Sequence, residues 1–214
     1  MSYAVKEIFY TLQGEGAQAG RAAVFCRFSG CNLWSGREAD RTAAICRFCD
    51  TDFVGVDGTG GGKFATAEEL AAAVDRAWAG TSESIQSRKF VVCTGGEPLL
   101  QLDSNLIDAL HSRDFEIAVE TNGTIAVPAG IDWICVSPKA GAQLVQRSGH
   151  EVKLVFPQTG IEPVELQGLA FRNFFLQPMD GPNQIPNTQA AVRYCMENPV
   201  WRLSLQTHKV LGIR

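Results

Sequence analysis

Three cysteines have the residue type and the spacing to hold a metal centre. Cys46 and Cys49 form a CxxC pair, and fourteen residues separate Cys31 from Cys46. Three thiolates can ligate three irons of a four-iron cluster and leave the fourth iron open, whereas full protein ligation of such a cluster uses four cysteines. The spacing therefore permits an iron–sulfur site with one open position, but it does not by itself distinguish that site from others built on a CxxC pair.

Two other interpretations of the cysteines stay open at this point. A structural zinc site usually has four ligands in two pairs, whereas this sequence has one CxxC pair and three scattered histidines, His111, His150 and His208. A thioredoxin-like CxxC opens a helix that follows a strand, whereas the polar segment 35–41 precedes this pair. Neither alternative accounts for the GGEP motif at 95–98, which follows the strand-like run KFVVC.

Composition and charge exclude several classes of partner. Hydrophobic residues make up 45% of the 214 residues and charged residues 20%, which is ordinary for a globular protein. The net charge is −4 and the sequence has no run of lysines or arginines. Binding to nucleic acid needs a basic face to neutralise phosphates. We therefore expect no nucleic-acid partner.

The sequence also indicates a cytoplasmic protein without a membrane anchor. No apolar stretch approaches the roughly 20 residues that cross a bilayer, and the first residues lack the apolar core of a signal peptide. Seven cysteines without an export signal are typical of a reducing compartment, where thiols stay free to bind metal. Four of them lie in apolar runs and are expected in the core: Cys26, Cys93, Cys135 and Cys195.

The order of predicted elements indicates an α/β fold. Short apolar runs predict strands at 22–28, 89–94, 115–120, 133–136, 152–156, 173–176 and 202–205. Helices are predicted from a Thr66 cap to about Trp78, from about Asp103 to Ser112, and from about Asn187 to just before Pro199. The glycine-rich segment 55–63 lacks the GxxxxGK[ST] order of a phosphate loop and is expected to be a flexible surface loop.

This order predicts a partial, incomplete TIM-like barrel of about six parallel strands with few helices. A full eight-fold barrel has more helices and typically about 250 residues. Polar clusters follow five of the predicted strands. Because active sites of parallel barrels lie at the carboxyl ends of the strands, these clusters are expected to meet in one site.

The motifs together resemble those of radical S-adenosylmethionine (SAM) enzymes, and more narrowly of the 7-carboxy-7-deazaguanine synthase family. The similarity covers most of the chain and rests on YTLQGEG at 10–16, FCRFSGCNL at 25–33, CRFCDT at 46–51, TGGEP at 94–98, ETNG at 120–123, SPK at 137–139 and QPMD at 177–180. One departure is the segment between Cys31 and Cys46, because radical SAM enzymes commonly have the spacing CxxxCxxC.

The resemblance implies a reaction and its cofactors. The family converts 6-carboxy-5,6,7,8-tetrahydropterin to 7-carboxy-7-deazaguanine with loss of ammonia, a step toward queuosine and other 7-deazapurines. Its cofactors are a [4Fe–4S] cluster, SAM and Mg²⁺. SAM is cleaved to a 5′-deoxyadenosyl radical and regenerated at the end of the cycle. A flavodoxin-like or ferredoxin-like protein would donate the electron, and the enzyme would be a homodimer.

The resemblance also implies roles for particular residues. Three cysteines would hold the cluster and one threonine the Mg²⁺: Cys31, Cys46, Cys49 and Thr51. SAM would contact Phe48, Cys49, Asp50, Gly95, Gly96, Glu97, Ser137, Pro138, Lys139, Gln177, Pro178, Met179 and Asp180. The pterin would contact Leu12, Gln13, Gly14, Arg27, Thr94 and Arg214. Glu15, Glu120 and His208 would be catalytic. Without the resemblance, Arg27 is equally well read as a surface arginine and Thr51 as a helix cap.

The expected organisation is one radical SAM domain over residues 1–214, with a cluster-binding insertion near 32–45 that forms a loop or a short helix. Two alternatives remain. A glycyl-radical activase would need a protein-docking surface, and many activases carry further cluster motifs that this sequence lacks. A non-enzymatic zinc or iron–sulfur binding module would leave the GGEP and TLQGEG motifs unexplained.

Overall fold

The computed structural model describes residues 2–79 and 88–214, which contain one nine-stranded sheet. Its strand order is β3-β1-β2-β4-β5-β6-β7-β8-β9. The strands are Tyr3–Leu12 (β1), Ala22–Phe28 (β2), Gly62–Phe64 (β3), Lys89–Gly95 (β4), Phe115–Thr121 (β5), Trp133–Val136 (β6), Ser148–Phe156 (β7), Ala170–Pro178 (β8) and Trp201–Leu203 (β9).

Few helices accompany this sheet. The α-helices are Ala67–Ala77 (α1), Ser104–His111 (α2), Pro163–Leu166 (α3), Gln184–Glu197 (α4) and Thr207–Leu211 (α5), and three 3₁₀ turns span Gly16–Gln18, Glu38–Ala43 and Pro98–Leu100. Thr66 caps α1 as predicted, because its side chain accepts a hydrogen bond from the Glu69 amide at 3.2 Å. Helix α4 begins three residues before the predicted start. Pro186 is tolerated there because the first turn of a helix needs no amide donor.

The prediction of a mostly parallel sheet is confirmed, with differences at its amino-terminal edge. Parallel pairing joins β2 and β4 through β9 in the described part of the chain, which is one strand more than the predicted six or so. Sequence analysis missed β1 and β3, which pair antiparallel at the edge. The segment 55–63 is a surface loop through Gly61 as expected, but its last two residues are not. Its end forms β3, and the Gly58 amide donates to the Lys6 carbonyl at 2.9 Å.

The sheet is open but strongly curved. Strands β3 and β9 are its two edges and do not pair with each other. Even so, the Thr207 amide just beyond β9 donates to the carbonyl of Gly14, just beyond β1, at 3.0 Å. Seven strand spacings separate β1 from β9, which would place them roughly 34 Å apart in a flat sheet. The sheet therefore curls into the incomplete barrel that the sequence predicts.

Side-chain alternation divides the core into an outer and an inner layer. Helices α1 and α2 pack against the outer face of β1, β2, β4 and β5, and a second outer cluster with Trp201 joins α4 to β6–β9. A smaller inner cluster is formed by Ala23, Phe90, Val92 and Ala118. Residues two apart on a strand share a face. The inner-face positions that follow these apolar residues are therefore the ones that reach the open end of the barrel.

The segment 32–45 forms a short 3₁₀ helix, Glu38–Ala43, within a loop. Trp34 packs edge-on against Phe53 with ring centroids 5.6 Å apart, and Ala44 completes this small cluster beside Cys31 and Cys49. The segment therefore has its own apolar anchor next to two of the three cysteines.

Candidate active site

The carboxyl ends of the strands surround a cavity of about 510 Å³. All five polar clusters predicted to meet contribute to its wall, as do the TLQGEG segment and the three cysteines. The predicted site residues that line it are Leu12, Gln13, Gly14, Glu15, Arg27, Cys31, Cys46, Phe48, Cys49, Asp50, Thr51, Thr94, Gly95, Gly96, Glu120, Ser137, Lys139, Gln177, Pro178, Met179, Asp180, His208 and Arg214. Glu97 and Pro138 do not line it.

Glu97 lies behind the cavity wall and ties two strand ends together. Its side chain is fully buried. Its carboxylate accepts hydrogen bonds from the Thr121 hydroxyl at 2.8 Å, the Asn122 amide at 2.8 Å and the Leu99 amide at 3.0 Å. Burial raises the pKa of Glu97, and these three donors oppose that shift. The glutamate of the GGEP motif thus joins the end of β4 to the end of β5.

The two glycines of the GGEP motif allow a close approach between backbone segments. A Cβ on Gly96 would lie 2.1 Å from the Gly30 carbonyl oxygen and 2.8 Å from the Cys31 Cβ. Gly95 has φ +139°, which L side chains rarely adopt, and a Cβ there would lie 2.2 Å from the Phe28 carbonyl oxygen. In this structure the glycines are therefore needed to seat the segment that carries Cys31.

The three cysteines lie at one side of the cavity. A hydrogen bond from the Cys46 thiol lowers the pKa of Cys49 to about 6, while burial raises the pKa of Cys31. The Leu33 amide donates to the Cys31 sulfur at 3.4 Å. Within residues 2–79 and 88–214, no three histidine, cysteine, aspartate or glutamate side chains are arranged to hold a single metal ion.

This donor set fits a cluster better than a single ion. Each thiolate of a cluster binds a different iron, so the sulfurs surround a group larger than one metal ion. Three thiols, of Cys31, Cys46 and Cys49, share the cavity wall. The wall also contains Cys135, but this residue lies on the separate strand β6. The arrangement therefore matches ligation by three thiolates. The residues present therefore fit a four-iron cluster with one open position.

Beside the cysteines, Lys139 is half-buried close to an aromatic ring. Its ammonium donates to the Ser137 hydroxyl at 2.6 Å and to the Ser137 carbonyl at 2.7 Å, and it lies 5.9 Å from the centre of the Phe48 ring. Burial lowers the pKa of Lys139, and Cys46 and Cys49 partly oppose this shift. The position and charge of Lys139 suit an anionic ligand placed between β6 and the cysteine loop.

A buried ion-pair network forms another part of the cavity wall. The Lys153 ammonium of β7 donates to the carboxylates of Glu15 and Glu120, with 3.2 Å to Glu120. Glu120 also accepts from the Gln13 amide at 3.1 Å and from the Thr94 hydroxyl at 3.3 Å. These contacts bring together four residues that the sequence assigned to substrate binding or catalysis.

The balance of burial and charge keeps the Glu15–Lys153 pair ionised. Burial by itself raises the pKa of Glu15, but Lys153 outweighs it and the pKa is lowered. Burial likewise lowers the pKa of Lys153, but Glu120 and Glu15 outweigh it and the pKa is raised well above its usual value. One cation thus holds two carboxylates at the cavity, with Glu15 charged at neutral pH.

Helix α5 closes the cavity from the far end of the chain. The Lys209 ammonium bridges Asp50, next to the cysteine pair, at 2.8 Å and Asp180, after β8, at 2.6 Å. The Gln206 amide donates to Glu15 at 3.0 Å. His208 packs directly on Gly14, where a Cβ would lie 2.3 Å from the imidazole Nδ1.

A second charged group lies near the edge of the sheet. Arg27 Nε donates to Glu7 at 2.9 Å, and Arg214 Nη2 lies 3.7 Å from the other Glu7 oxygen. The rings of Phe9 and Phe25 stack beside them, with centroids 5.5 Å apart and planes 11° from parallel. Arg27 is thus a half-buried cavity residue rather than a surface arginine.

Sequence reasoning missed several residues of this wall. Glu7, Phe9 and Lys153 line the cavity, and so do Gln206 and Lys209, which were expected there only as members of the polar cluster after the last strand. Lys153 left a signal, because a lysine inside the apolar run VKLVF needs a buried partner. Glu7 and Phe9 left none, because β1 itself was not predicted.

Three cysteines at the open end of an incomplete parallel barrel, facing a buried polar cavity, define a radical SAM enzyme. The chain is 67% identical over 213 residues to a 7-carboxy-7-deazaguanine synthase from Caulobacter vibrioides, and 65% identical over 214 residues to one from Bradyrhizobium diazoefficiens, each covering 100% of both chains. The chain belongs to the 7-carboxy-7-deazaguanine synthase family.

The structural comparison agrees with this assignment. The crystal structure of QueE from Escherichia coli superposes with a TM-score of 0.70 at 28% sequence identity, covering 96% of this chain and 94% of that one. No protein-family model matches the chain. No helix in the described ranges is both long enough and apolar enough to span a membrane.

Proposed function

We propose that this protein converts 6-carboxy-5,6,7,8-tetrahydropterin to 7-carboxy-7-deazaguanine and ammonia in the cytoplasm, on the route to queuosine and other 7-deazapurines. Substrate and product differ by one ammonia, so the conversion needs no net oxidant. The observation that supports this most is that three thiols and a set of carboxylate, lysine and arginine side chains line the same cavity. A cavity of about 510 Å³ lies in the size range of small-molecule sites.

The cofactors we propose are a [4Fe–4S] cluster, SAM and Mg²⁺. Cys31, Cys46 and Cys49 would ligate the cluster, and bound SAM would supply a radical that takes a hydrogen atom from the substrate. Lys139 next to the Phe48 ring would hold an anionic part of SAM. The other proposed SAM contacts lie around them on the cavity wall: Asp50, Gly95, Gly96, Ser137, Gln177, Pro178, Met179 and Asp180. Glu97 and Pro138 would act from behind that wall.

Mg²⁺ would be held by Thr51, which lines the cavity just past the cysteine pair. The ion keeps few protein ligands and completes its shell with water and substrate oxygens. A single threonine hydroxyl therefore suits a metal whose main partner is the bound pterin.

The wall around the buried ion-pair network would bind the pterin. Gln13, with an amide, and Glu15, with a carboxylate, have complementary groups for the amide and amine edge of the ring. Glu15 is kept ionised by Lys153, so it accepts hydrogen bonds. Arg27 would take the substrate carboxylate in a two-point contact. Leu12, Gly14, Thr94 and Arg214 complete the proposed pterin wall, with Glu120 and His208 as the proposed catalytic groups beside Glu15.

A flavodoxin-like or ferredoxin-like electron donor and a homodimeric state belong to the same proposal. One experiment tests the central claim. Reconstituted protein is incubated anaerobically with SAM, a chemical reductant, Mg²⁺ and the carboxypterin, and product and ammonia are measured by mass spectrometry and a colorimetric assay. We expect both products in equal amounts. A fully reconstituted protein that cleaves SAM but leaves the pterin unchanged would contradict the proposed substrate, and Cys31→Ala protein is the inactive control.

A further inference from the structure

We propose that Glu7 is a positioning residue that orients Arg27, and with it Arg214, to take the carboxylate of the substrate. This inference rests on the proposed function, since it concerns how the pterin carboxylate is recognised. No motif pointed to Glu7, and its place in the cavity depends on an irregularity in strand β1.

The irregularity is a bulge at Lys6. Val5 pairs with Phe28 of β2, but Glu7 pairs with Arg27, so β1 has one residue more than its partner at this point. Such an extra residue changes the face on which later side chains lie. Before the bulge, Val5 packs in the outer core under α1 and α2. After it, Ile8 does so, which leaves Glu7 on the inner face.

The bulge therefore brings Glu7 to the cavity beside Arg27. The two side chains are largely buried, with 17% of Glu7 and 20% of Arg27 exposed. Arg27 uses Nε for this contact. A guanidinium group has five N–H donors, so in the described part of the chain the bond to Glu7 leaves the two terminal NH₂ groups of Arg27 available for a ligand.

The side chains paired with Glu7 carry more positive charge than its carboxylate balances. Arg27 and Arg214 both contact the single carboxylate of Glu7, so the three side chains have a net charge of +1. Arg214 also lies 5.4 Å from the ring centre of Phe9, next to the flat Phe9–Phe25 stack. A bicyclic ligand with one planar ring and one carboxylate matches this arrangement, with the planar ring beside the aromatic pair and the carboxylate between the two guanidinium groups.

Orientation and charge have opposite effects on binding here. Glu7 is an anion and repels the substrate carboxylate, but it fixes the plane of the Arg27 fork, on which two-point recognition depends. If orientation dominates, as we propose, Glu7→Ala weakens binding. Glu7→Gln weakens it less, because the amide oxygen still accepts from Arg27 Nε. If charge dominated, both changes would tighten binding.

The test measures equilibrium binding to the reconstituted holoenzyme under anaerobic conditions. The two ligands are 6-carboxy-5,6,7,8-tetrahydropterin and tetrahydropterin without the carboxylate. We expect Glu7→Ala to weaken binding of the carboxylated ligand about tenfold, which is the size of a typical coupling energy between neighbouring groups. Binding of the other ligand should stay within about twofold, because it does not use the guanidinium pair. In an Arg27→Ala background, Glu7→Ala should cost clearly less than it does alone, because only the weaker contact with Arg214 remains.

The matched control is Glu116→Ala. Glu116 pairs with Arg21 on the same sheet, with 2.7 Å between Arg21 Nη2 and Glu116 Oε2, and it does not line the cavity. The Glu116→Ala variant should change the affinity for neither of the two pterins. Cluster absorbance and the unfolding temperature of each variant report whether it folds, and Glu7→Gln keeps the test valid if Glu7→Ala does not.

Three results would overturn the inference. These are equal losses for both pterins, tighter binding of the carboxylated pterin by either variant, and an additive loss in the Arg27→Ala background. If the unaltered holoenzyme binds neither pterin, the proposed function fails and the inference fails with it. If the unaltered holoenzyme binds the carboxypterin as expected and Glu7→Ala binds it equally well, only the role of Glu7 is wrong.

Discussion

At the scale of single residues, the cavity contains two kinds of charged group. Beside the cysteines, Lys139 is a half-buried cation whose pKa is lowered by burial. In the ion-pair network, Lys153 is a buried cation whose pKa is raised by two carboxylates. The pKa values of the two lysines are therefore shifted in opposite directions, because only Lys153 forms ion pairs with carboxylates.

The first prediction concerns the cluster ligands. Replacing Cys31, Cys46 or Cys49 by alanine should abolish the brown absorption of reconstituted protein, because no other thiol in the cavity wall adjoins the cysteine loop. Cys93→Ala is the matched control. That residue is fully buried in strand β4 and should cost packing energy of about 1 kcal/mol but leave the cluster intact. A colourless Cys93→Ala protein beside a coloured Cys31→Ala protein would contradict the assignment.

The second prediction concerns Lys153. Lys153→Met should lower kcat/KM about a hundredfold and destabilise the protein by roughly 3 kcal/mol, because it leaves buried carboxylates without their cation. Lys89→Met, which breaks a 2.7 Å pair with Asp75 outside the cavity, is the control and should keep full activity. Lys153→Arg should restore part of the lost activity, since it restores the charge.

The loss of Lys153 should also change how kcat/KM depends on pH, in a direction that follows from the pKa of Glu15. In the unaltered protein the folded-state pKa of Glu15 is below its ordinary value of 4.5. Its contribution to stability is therefore present above that pH and is lost as the pH falls through the lowered pKa. Without Lys153, burial is no longer outweighed and raises the pKa of Glu15. The acid limb of the kcat/KM profile should move to higher pH, and an unmoved limb would exclude this role for Lys153.

At the scale of elements, function depends on contacts between segments that lie far apart in sequence. The TLQGEG segment begins in the last two residues of β1 and packs against α5, and the segment 32–45 packs against the cysteine loop. The predicted strands β2 and β4–β9 could be read from their apolar runs, which are most complete where a strand is buried on both faces, as β4 is. Strand β1 could not. The bulge at Lys6 breaks its alternation, and the polar end of the strand reads as a loop.

Gly14 tests the contact between TLQGEG and α5. A Cβ at this position would lie 2.3 Å from His208 Nδ1 and 2.9 Å from the His208 backbone nitrogen, so a rotamer change cannot relieve the overlap. Gly14→Ala should cost about 1–3 kcal/mol and raise KM for the pterin, while the cluster absorption stays unchanged. The control is Gly168→Ala, which has open space around it. Equal effects of the two substitutions would argue against this packing role.

Arg41 tests the anchoring of the segment 32–45. Its guanidinium donates to the carbonyls of Arg47 at 2.8 Å and Cys49 at 3.1 Å, and it lies 4.0 Å from the centre of the Trp34 ring. Arg41→Ala should release cluster iron to a chelator several-fold faster than the unaltered protein. Arg37→Ala is the control, since the contacts of Arg37 are made by its backbone. Identical release from all three proteins would show that this anchor is dispensable.

At the scale of the whole molecule, the sequence predicted the incomplete barrel and most of the cavity wall. It did not predict that α5 covers the gap between the two ends of the sheet. Strand runs and polar strand ends are local patterns, so they could be read directly. The polar cluster 206–209 was expected at the site, but its contacts with Glu15, Asp50 and Asp180 could not be read, because they depend on α5 folding back across the open edge. Glu97 shows the same limit in another way. Its motif marked it as a cavity residue, whereas burial placed it behind the wall.

The return of α5 to β1 also has a consequence for how the chain is made. Thr207 and Gly14 are 193 residues apart, and contacts at such separation form late. The cysteine segment leaves the ribosome 158 residues before Thr207, which at common rates of synthesis is roughly 8 to 32 seconds earlier. During that interval the three cysteine thiols are present while the side of the cavity formed by α5 has not yet been made. A nascent chain halted before residue 204 should therefore accept iron and sulfide as the finished protein does, but should not retain the pterin.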